Sequence, residues 1–356
     1  MASLAGALNA AALGAAYGAS QLARVAWFTG HYVTGRSRMR SAAETARFGA
    51  RQRRALREGF VDLFREDCRN ILAGEYRLPP DALRPPRLDE LWRRSRDYFQ
   101  DTEEILRRQA EHGHSEVYDK ALSDRFPRYY LQNFHYQSDG WLSAASADRY
   151  DMQVETLFTG AAAAMRRQAL PAIRRAIAGR DPASLRLIDL ACGTGVFLNE
   201  IKENWPGLDA TALDLSPAYL GKARLTLAGR KFVSFREANA EATGLAAGSF
   251  DIVTAVYLFH ELPPSARRNV VAEASRLLKP GGAFVHVDTI QYGDRPELDE
   301  VLSAFPVAFH EPYYDGYCRE NLDALFGAAD FAPGEPAKLA FLTKVATYRK
   351  AAPETA

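Results

Sequence analysis

Hydrophobic and polar positions change their rhythm near residue 180. Before it, apolar residues recur at helical spacing. After it, short apolar runs alternate with amphipathic ones, the pattern of a parallel sheet with crossover helices. The second part predicts strands at 186–190, 210–214, 232–236, 251–257 and 283–288. Helices are predicted over 195–204, 217–228, 265–278, about 296–304 and 319–328. The late run "EPAKLAFLTKVATYRK" leaves no room for a crossover helix, so it predicts an antiparallel hairpin at the sheet edge.

The earlier part reads as helices and connectors. "ETLFTGAAAAMRRQALPAIRRAIAGR" predicts a helix leading to the sheet, kinked at Pro171. "RLPPDALRPPRLDE" breaks the pattern with two Pro-Pro pairs, and Asp89 is placed to cap the helix that follows. Between 126 and 150, Phe126, Tyr129, Tyr130, Phe134, His135, Tyr136, Trp141 and Tyr150 crowd together, too close to share one helix face. They predict either a lid over a ligand or packing at a junction between two domains. Residues 1–150 are expected to form a helical cap or substrate domain, and 151–356 the α/β domain. No internal repeat is visible.

Composition narrows the class. Of 356 residues 47% are apolar and 25% charged, as in globular proteins, and a net charge of +1 gives no general affinity for nucleic acid. Cys68, Cys192 and Cys318 lie far apart and form no CxxC pair, so a reducing cytoplasm is the expected compartment. The first twenty residues carry no charged side chain, but they are rich in Ala and Gly and lack the basic start of a secretory signal. They predict an Ala-rich helix packed on its own protein. From Arg36 to Arg57 eight arginines face one acid, Glu44. This stretch reads as a solvated helix face, with contact to an anionic lipid or phosphate as the alternative.

The chemistry gathers at "LIDLACGTGVFLNE". A buried strand ends at Asp189 and Leu190, and Gly193 and Gly195 follow where a ligand sits over an open α/β sheet. Glycine lets backbone and ligand approach closely, and the helix from Val196 offers free N–H groups. A dinucleotide fingerprint would need glycine at 198, where Leu198 stands. With Asp189 in front, the loop points to a ligand with a cationic end. Asp214 closes the next strand 21 residues after Gly193, where an acid grips ribose hydroxyls in nucleotide-type βαβ units.

These motifs in this order resemble the class I S-adenosylmethionine-dependent methyltransferases, over roughly residues 150–350. "DLACGTG" is similar to the family's glycine loop, with Ala191 in place of the first usual glycine. "ALDLSPAYL" is similar to its ribose strand and "ANAEATGLAAGSFDIV" to its adenine segment, with Asn239 where Asp is commoner. "DIVTAVYLFHELP" and "LLKPGGAFVHVD" are similar to its fourth strand and the turn before its fifth. The resemblance implies a Rossmann-like seven-stranded sheet of order 3-2-1-4-5-7-6 with an antiparallel last strand. It also implies S-adenosyl-L-methionine as cofactor. The cofactor site would comprise Asp189, Ala191, Gly193, Gly195, Asp214, Leu215, Asn239, Ala240 and Tyr257, with Trp141 and Tyr150 closing over it.

Methyl transfer from a sulfonium is an in-line displacement that depends on positioning and water exclusion. His260, Glu261 and Tyr136 are the candidate catalytic residues, with His260 as base if the acceptor arrives protonated. His135, His310, Tyr313 and Tyr314 are the candidate substrate contacts. No metal site is expected: His112 and His114 lack a cysteine partner, and "YLFHELPP" shows no carboxylate cluster. The expected function is methyl transfer to a small-molecule acceptor, or to a lipid or quinone if the amino-terminal region touches membrane. Two alternatives keep the cofactor: intramolecular cyclisation releasing methylthioadenosine, and a silent cofactor-binding partner protein. "HELPP" is not the motif of nucleic acid amino-methylating members.

Overall fold

A computed structural model describes residues 4–39, 48–82, 89, 91–99, 122, 124–132 and 140–352. The chain opens with two long helices, α1 (Leu4–Met39) and α2 (Ala50–Leu72), and residues 91–99 form a third, α3. Among the described residues, no helix is long and apolar enough to cross a membrane. The predicted helix before the sheet is broken into three: α4 (Ala144–Leu157), α5 (Ala162–Arg167) and α6 (Leu170–Ile177). Thr159 and Gly160, both at positive φ, end the first of these turns. Pro171 does not kink a continuous helix. It sits in the first turn of α6, where its missing N–H costs nothing.

The sheet follows the predicted order. Strands β1 (Arg186–Leu190), β2 (Asp209–Asp214), β3 (Val233–Glu237), β4 (Phe250–Val256) and β5 (Leu278–Thr289) are joined by α7 (Val196–Asn204), α8 (Pro217–Thr226) and α9 (Pro264–Leu277). The order is β3-β2-β1-β4-β5-β8-β6, where β6 is Phe331–Pro333 and β8 is Thr343–Lys350. The first five strands run parallel, and β8 runs antiparallel to β5. The late hairpin pairs β8 with a short β7 (Lys338–Ala340). β8 is not the edge, because β6 lies outside it. β5 begins earlier than the pattern implied and curls through Gly281 and Gly282 with a register shift against β4. Helix α10 spans Asp299–Phe309, and two short helices not separated by the sequence pattern, α11 (Tyr314–Cys318) and α12 (Leu322–Gly327), precede β6.

The inner strands β1, β2, β4 and β5 are buried on both faces over most of their length, as in parallel sheets, which explains their apolar runs, whereas the edge strand β3 is partly exposed. In β1, Leu187 joins the core under α6, α7 and α8, while Ile188 and Leu190 join the core under α9, α11 and α12. Tyr17 of α1 and Ile71 of α2 belong to the first of these cores, so the helical region and the sheet share one interior. A buried polar knot pins them together. Asp67 of α2 accepts from Arg167 of α5 at 2.5 Å and from the hydroxyls of Tyr17 and Tyr76 at 2.6 Å each. Its side chain is wholly inaccessible, and Arg167 is nearly so.

Candidate functional site

The site forms at the carboxyl ends of β1, β2 and β4. After β1 the chain turns through three left-handed residues, Ala191 (φ +56°), Gly193 (φ +57°) and Gly195 (φ +77°). A Cβ on Gly193 would meet nothing within 4 Å, because the space above it is open. A Cβ on Gly195 would press on Ala223 at 3.1 Å and Leu227 at 3.2 Å, so that glycine lets α8 pack against the loop.

Asp214 ends β2 beside this loop. Its Oδ2 accepts from the Gly193 N–H at 2.8 Å and its Oδ1 from the Ser216 N–H at 2.8 Å. Burial raises the carboxyl to about 6, against the pull of the N–H groups of Ser216, Gly193 and Leu215. The carboxylate lines a cleft with about 860 Å³ of empty space, its open mouth included. Ala191, Leu215, Asn239, Ala240 and Tyr257 line the same cleft. Asn239 is engaged locally, its Oδ1 accepting from the Glu241 N–H at 2.9 Å.

Asp189 and Gly195 do not line the cleft. Asp189 lies beneath the loop, accepting from the Thr254 hydroxyl of β4 at 2.6 Å, and burial raises it to about 7 against that hydrogen bond.

One wall is aromatic. Trp141, Tyr150 and Tyr219 meet edge to face in a triangle with ring centroids 5.4–5.5 Å apart, and Tyr129, Tyr130 and Tyr257 extend the lining. The Ser216 hydroxyl ties this wall to the end of β2 by donating to the Trp141 carbonyl while capping α8. Tyr219 was not singled out in the sequence, although it sits three residues past that cap in "SPAYL". His135 and Tyr136 lie outside the described residues, as do His112 and His114.

Glu261, on a 3-10 turn after β4 (Phe259–Glu261), also lines the cleft. His260 beside it is buried, and its Nδ1 meets Asp288 Oδ1 of β5 at 2.5 Å. Burial opposes a charge on His260, but the carboxylates of Asp288, Glu261 and Glu311 overcome it and raise the imidazole to about 9. These carboxylates thus favour the charged imidazole over the free base expected from the sequence. Asp288 in turn is held by the N–H groups of Phe259, His260 and Thr289, at 2.8, 3.3 and 2.7 Å.

The late aromatic group is only partly near this place. Tyr314 is buried with its ring against His260 at 5.8 Å. His310 is left-handed (φ +48°) and bonds Gln132 at 3.1 Å, and the Tyr313 carbonyl accepts from buried Arg267. None of the three lines the cleft. Asp288 and Glu311 were missed, because each reaches the site from an element far from "YLFHELPP" in sequence.

Residues 187–282 match the family model described as "Methyltransferase domain". A ubiquinone/menaquinone biosynthesis C-methyltransferase of Methylobacterium nodulans is 32% identical over 163 residues, covering 45% of this chain and 62% of that protein. A ubiquinone biosynthesis O-methyltransferase of Aromatoleum aromaticum is 36% identical over 125 residues, covering 34% of this chain and 51% of that protein. The solved structure of a SAM-dependent methyltransferase from Aquifex aeolicus is similar with a TM-score of 0.43 at 14% identity, covering 58% of this chain and 98% of that one. The chain thus spans about half to three fifths of the length of these curated relatives. Residues 187–282 are thus similar to a methyltransferase domain, and the chain is similar in part to curated ubiquinone/menaquinone biosynthesis methyltransferases.

Proposed function

We propose that this protein transfers a methyl group from S-adenosylmethionine to a small-molecule acceptor, with residues 1–150 contributing a cap over the site. The observation that carries this reading is the join of Asp214 to the Gly193 N–H under open space. An aliphatic side chain at 193 would fill that space, and a carboxylate held this way keeps lone pairs for two hydroxyls. The residues present therefore fit a nucleoside.

When bound, the cofactor supplies an electrophilic methyl on a positively charged sulfur. Asp214 holds the ribose, and Leu215, Asn239 and Ala240 flank the base. Trp141, Tyr150 and Tyr219 offer ring faces that attract a cation and keep water out. Glu261 meets the acceptor, with His260 and Asp288 fixing the turn that carries it. The names of both relatives place their substrates in quinone biosynthesis, one methylated at carbon and one at oxygen. A hydroxylated aromatic ring is therefore the acceptor class to try first.

Calorimetry with S-adenosylhomocysteine should give one saturable site, and absence of heat with both cofactor forms would remove the reading. Incubation with S-adenosylmethionine and a panel of hydroxylated aromatics should then yield S-adenosylhomocysteine and a methylated ring. Methylthioadenosine instead would mean cyclisation, and binding without turnover across a metabolite extract would mean a silent partner. If the acceptor is lipid-like and Arg36–Arg57 meets its membrane, the chain should sediment with anionic vesicles.

A further inference from the structure

His260, Glu261 and Glu311 each point one potential ligand atom into a common space, all within 4.8 Å of one another. They come from two places, the turn after β4 and the residue that follows left-handed His310. Glu311 is 1% exposed and His260 6%. We propose that this trio binds a divalent transition-metal ion beside the cofactor cleft.

The second observation is the grip on the imidazole. Asp288 takes His260 Nδ1 at 2.5 Å, which leaves Nε2 facing the two glutamates, where a bound ion would take the place of the Nε2 proton. A carboxylate behind a ligating histidine sets both its tautomer and its direction in metal sites. The rings of Tyr314 and Tyr257 pack edge-on against the imidazole at 5.8 and 6.3 Å. Nε2 stands 3.7 Å from Glu261 Oε1, too long for a hydrogen bond. Two ligands each about 2.1 Å from one ion stand about 3–4 Å apart. The 3.7 Å pair already has that spacing, and the widest separation closes with a small rotation of a glutamate. One imidazole and two carboxylates suit Mn²⁺, Fe²⁺ or Zn²⁺ better than the oxygen-only cages of Ca²⁺.

Glu261 also lines the cleft, so an ion here would present its remaining positions to an acceptor oxygen. That placement rests on the methyl-transfer reading, whereas metal binding itself does not.

The full-length protein, stripped with chelator, should be titrated with Mn²⁺ alone, following the free-ion paramagnetic resonance signal, and with Zn²⁺ against a chromophoric chelator. One equivalent should bind, and Glu311→Gln and His260→Asn should each weaken binding at least tenfold. Glu237→Gln, at a surface pair with Arg125, should change nothing. Pulsed resonance on bound Mn²⁺ in the unaltered protein should show coupling to a histidine nitrogen, a readout that needs no substitution to fold. No saturable equivalent of either metal, no nitrogen coupling, or equal binding in both variants would overturn the site. S-adenosylhomocysteine calorimetry on the same sample reports separately on the cofactor cleft.

Discussion

Gly193 and Gly195 share one loop and one sign of φ, yet they should fail differently. At 195 a methyl group meets the backbone of α8 at 3.2 Å, so Gly195→Ala should cost about 1–3 kcal/mol in thermal or urea unfolding. At 193 the new atoms enter open space. Gly193→Val should carry only the left-handed strain of about 1–2 kcal/mol, but it should abolish the S-adenosylhomocysteine signal in calorimetry. Asp214→Ala should weaken that ligand by about 1–3 kcal/mol, as loss of a charged hydrogen-bond acceptor does. The unliganded carboxyl titrates at about 6 and binds ribose as the carboxylate. Affinity should therefore hold from pH 7 to 8 and fall as pH drops through about 6, because the proton must leave before the ligand enters. A flat profile down to pH 5 would dissociate Asp214 from binding. The loop and Asp214 were legible in the sequence because each is a local signal at a strand end. Asp288 and Glu311 were not, since only folding brings β5 and the end of α10 to the turn after β4.

Elements were legible where one period dominated. β1, β2 and β4 are short apolar runs between glycine or charged breaks, and the helices between them sit within a few residues of their expected limits. The stretch 155–180 misled because "AAAAMRRQALPAIRR" keeps helical spacing across the real boundary between α5 and α6. Helix periodicity registers which face is apolar, not where the α-helical hydrogen bonding breaks, and α5 and α6 both bury residues on either side of a tight turn at Gln168 and Ala169. What fixes α5 is polar: Arg167 on Asp67, with Tyr17 and Tyr76 closing the remaining lone pairs. Asp67→Ala should leave the Arg167 guanidinium buried without its main counter-charge. A loss of about 3–5 kcal/mol is expected in urea unfolding. Asp67→Asn should recover only part of it, because a neutral amide still accepts from a hydroxyl but does not offset the charge.

Across the whole molecule, α1 and α2 are not an appendage. Tyr17 and Ile71 share an interior with Leu170, Ile173, Leu187 and Ile201. Unfolding should therefore be one transition, with fluorescence from Trp27 in α1 and Trp205 after α7 coinciding with the far-ultraviolet circular dichroism. Two separated steps would mean the helical region melts alone. Composition had pointed to an Ala-rich helix packed on its own protein but not to the surface it meets, since burial of a helix against a distant sheet leaves no periodic trace beyond an apolar stripe. The same interior limits how the protein could be re-engineered or could have diversified. A graft that carried only the sheet onto another leader sequence would strip the cover from Leu170 and Ile173 and offer a sticky patch to its neighbours. Exchange of the helical region as a module would therefore have to rebuild this shared interior, whereas point changes in the aromatic wall leave it intact.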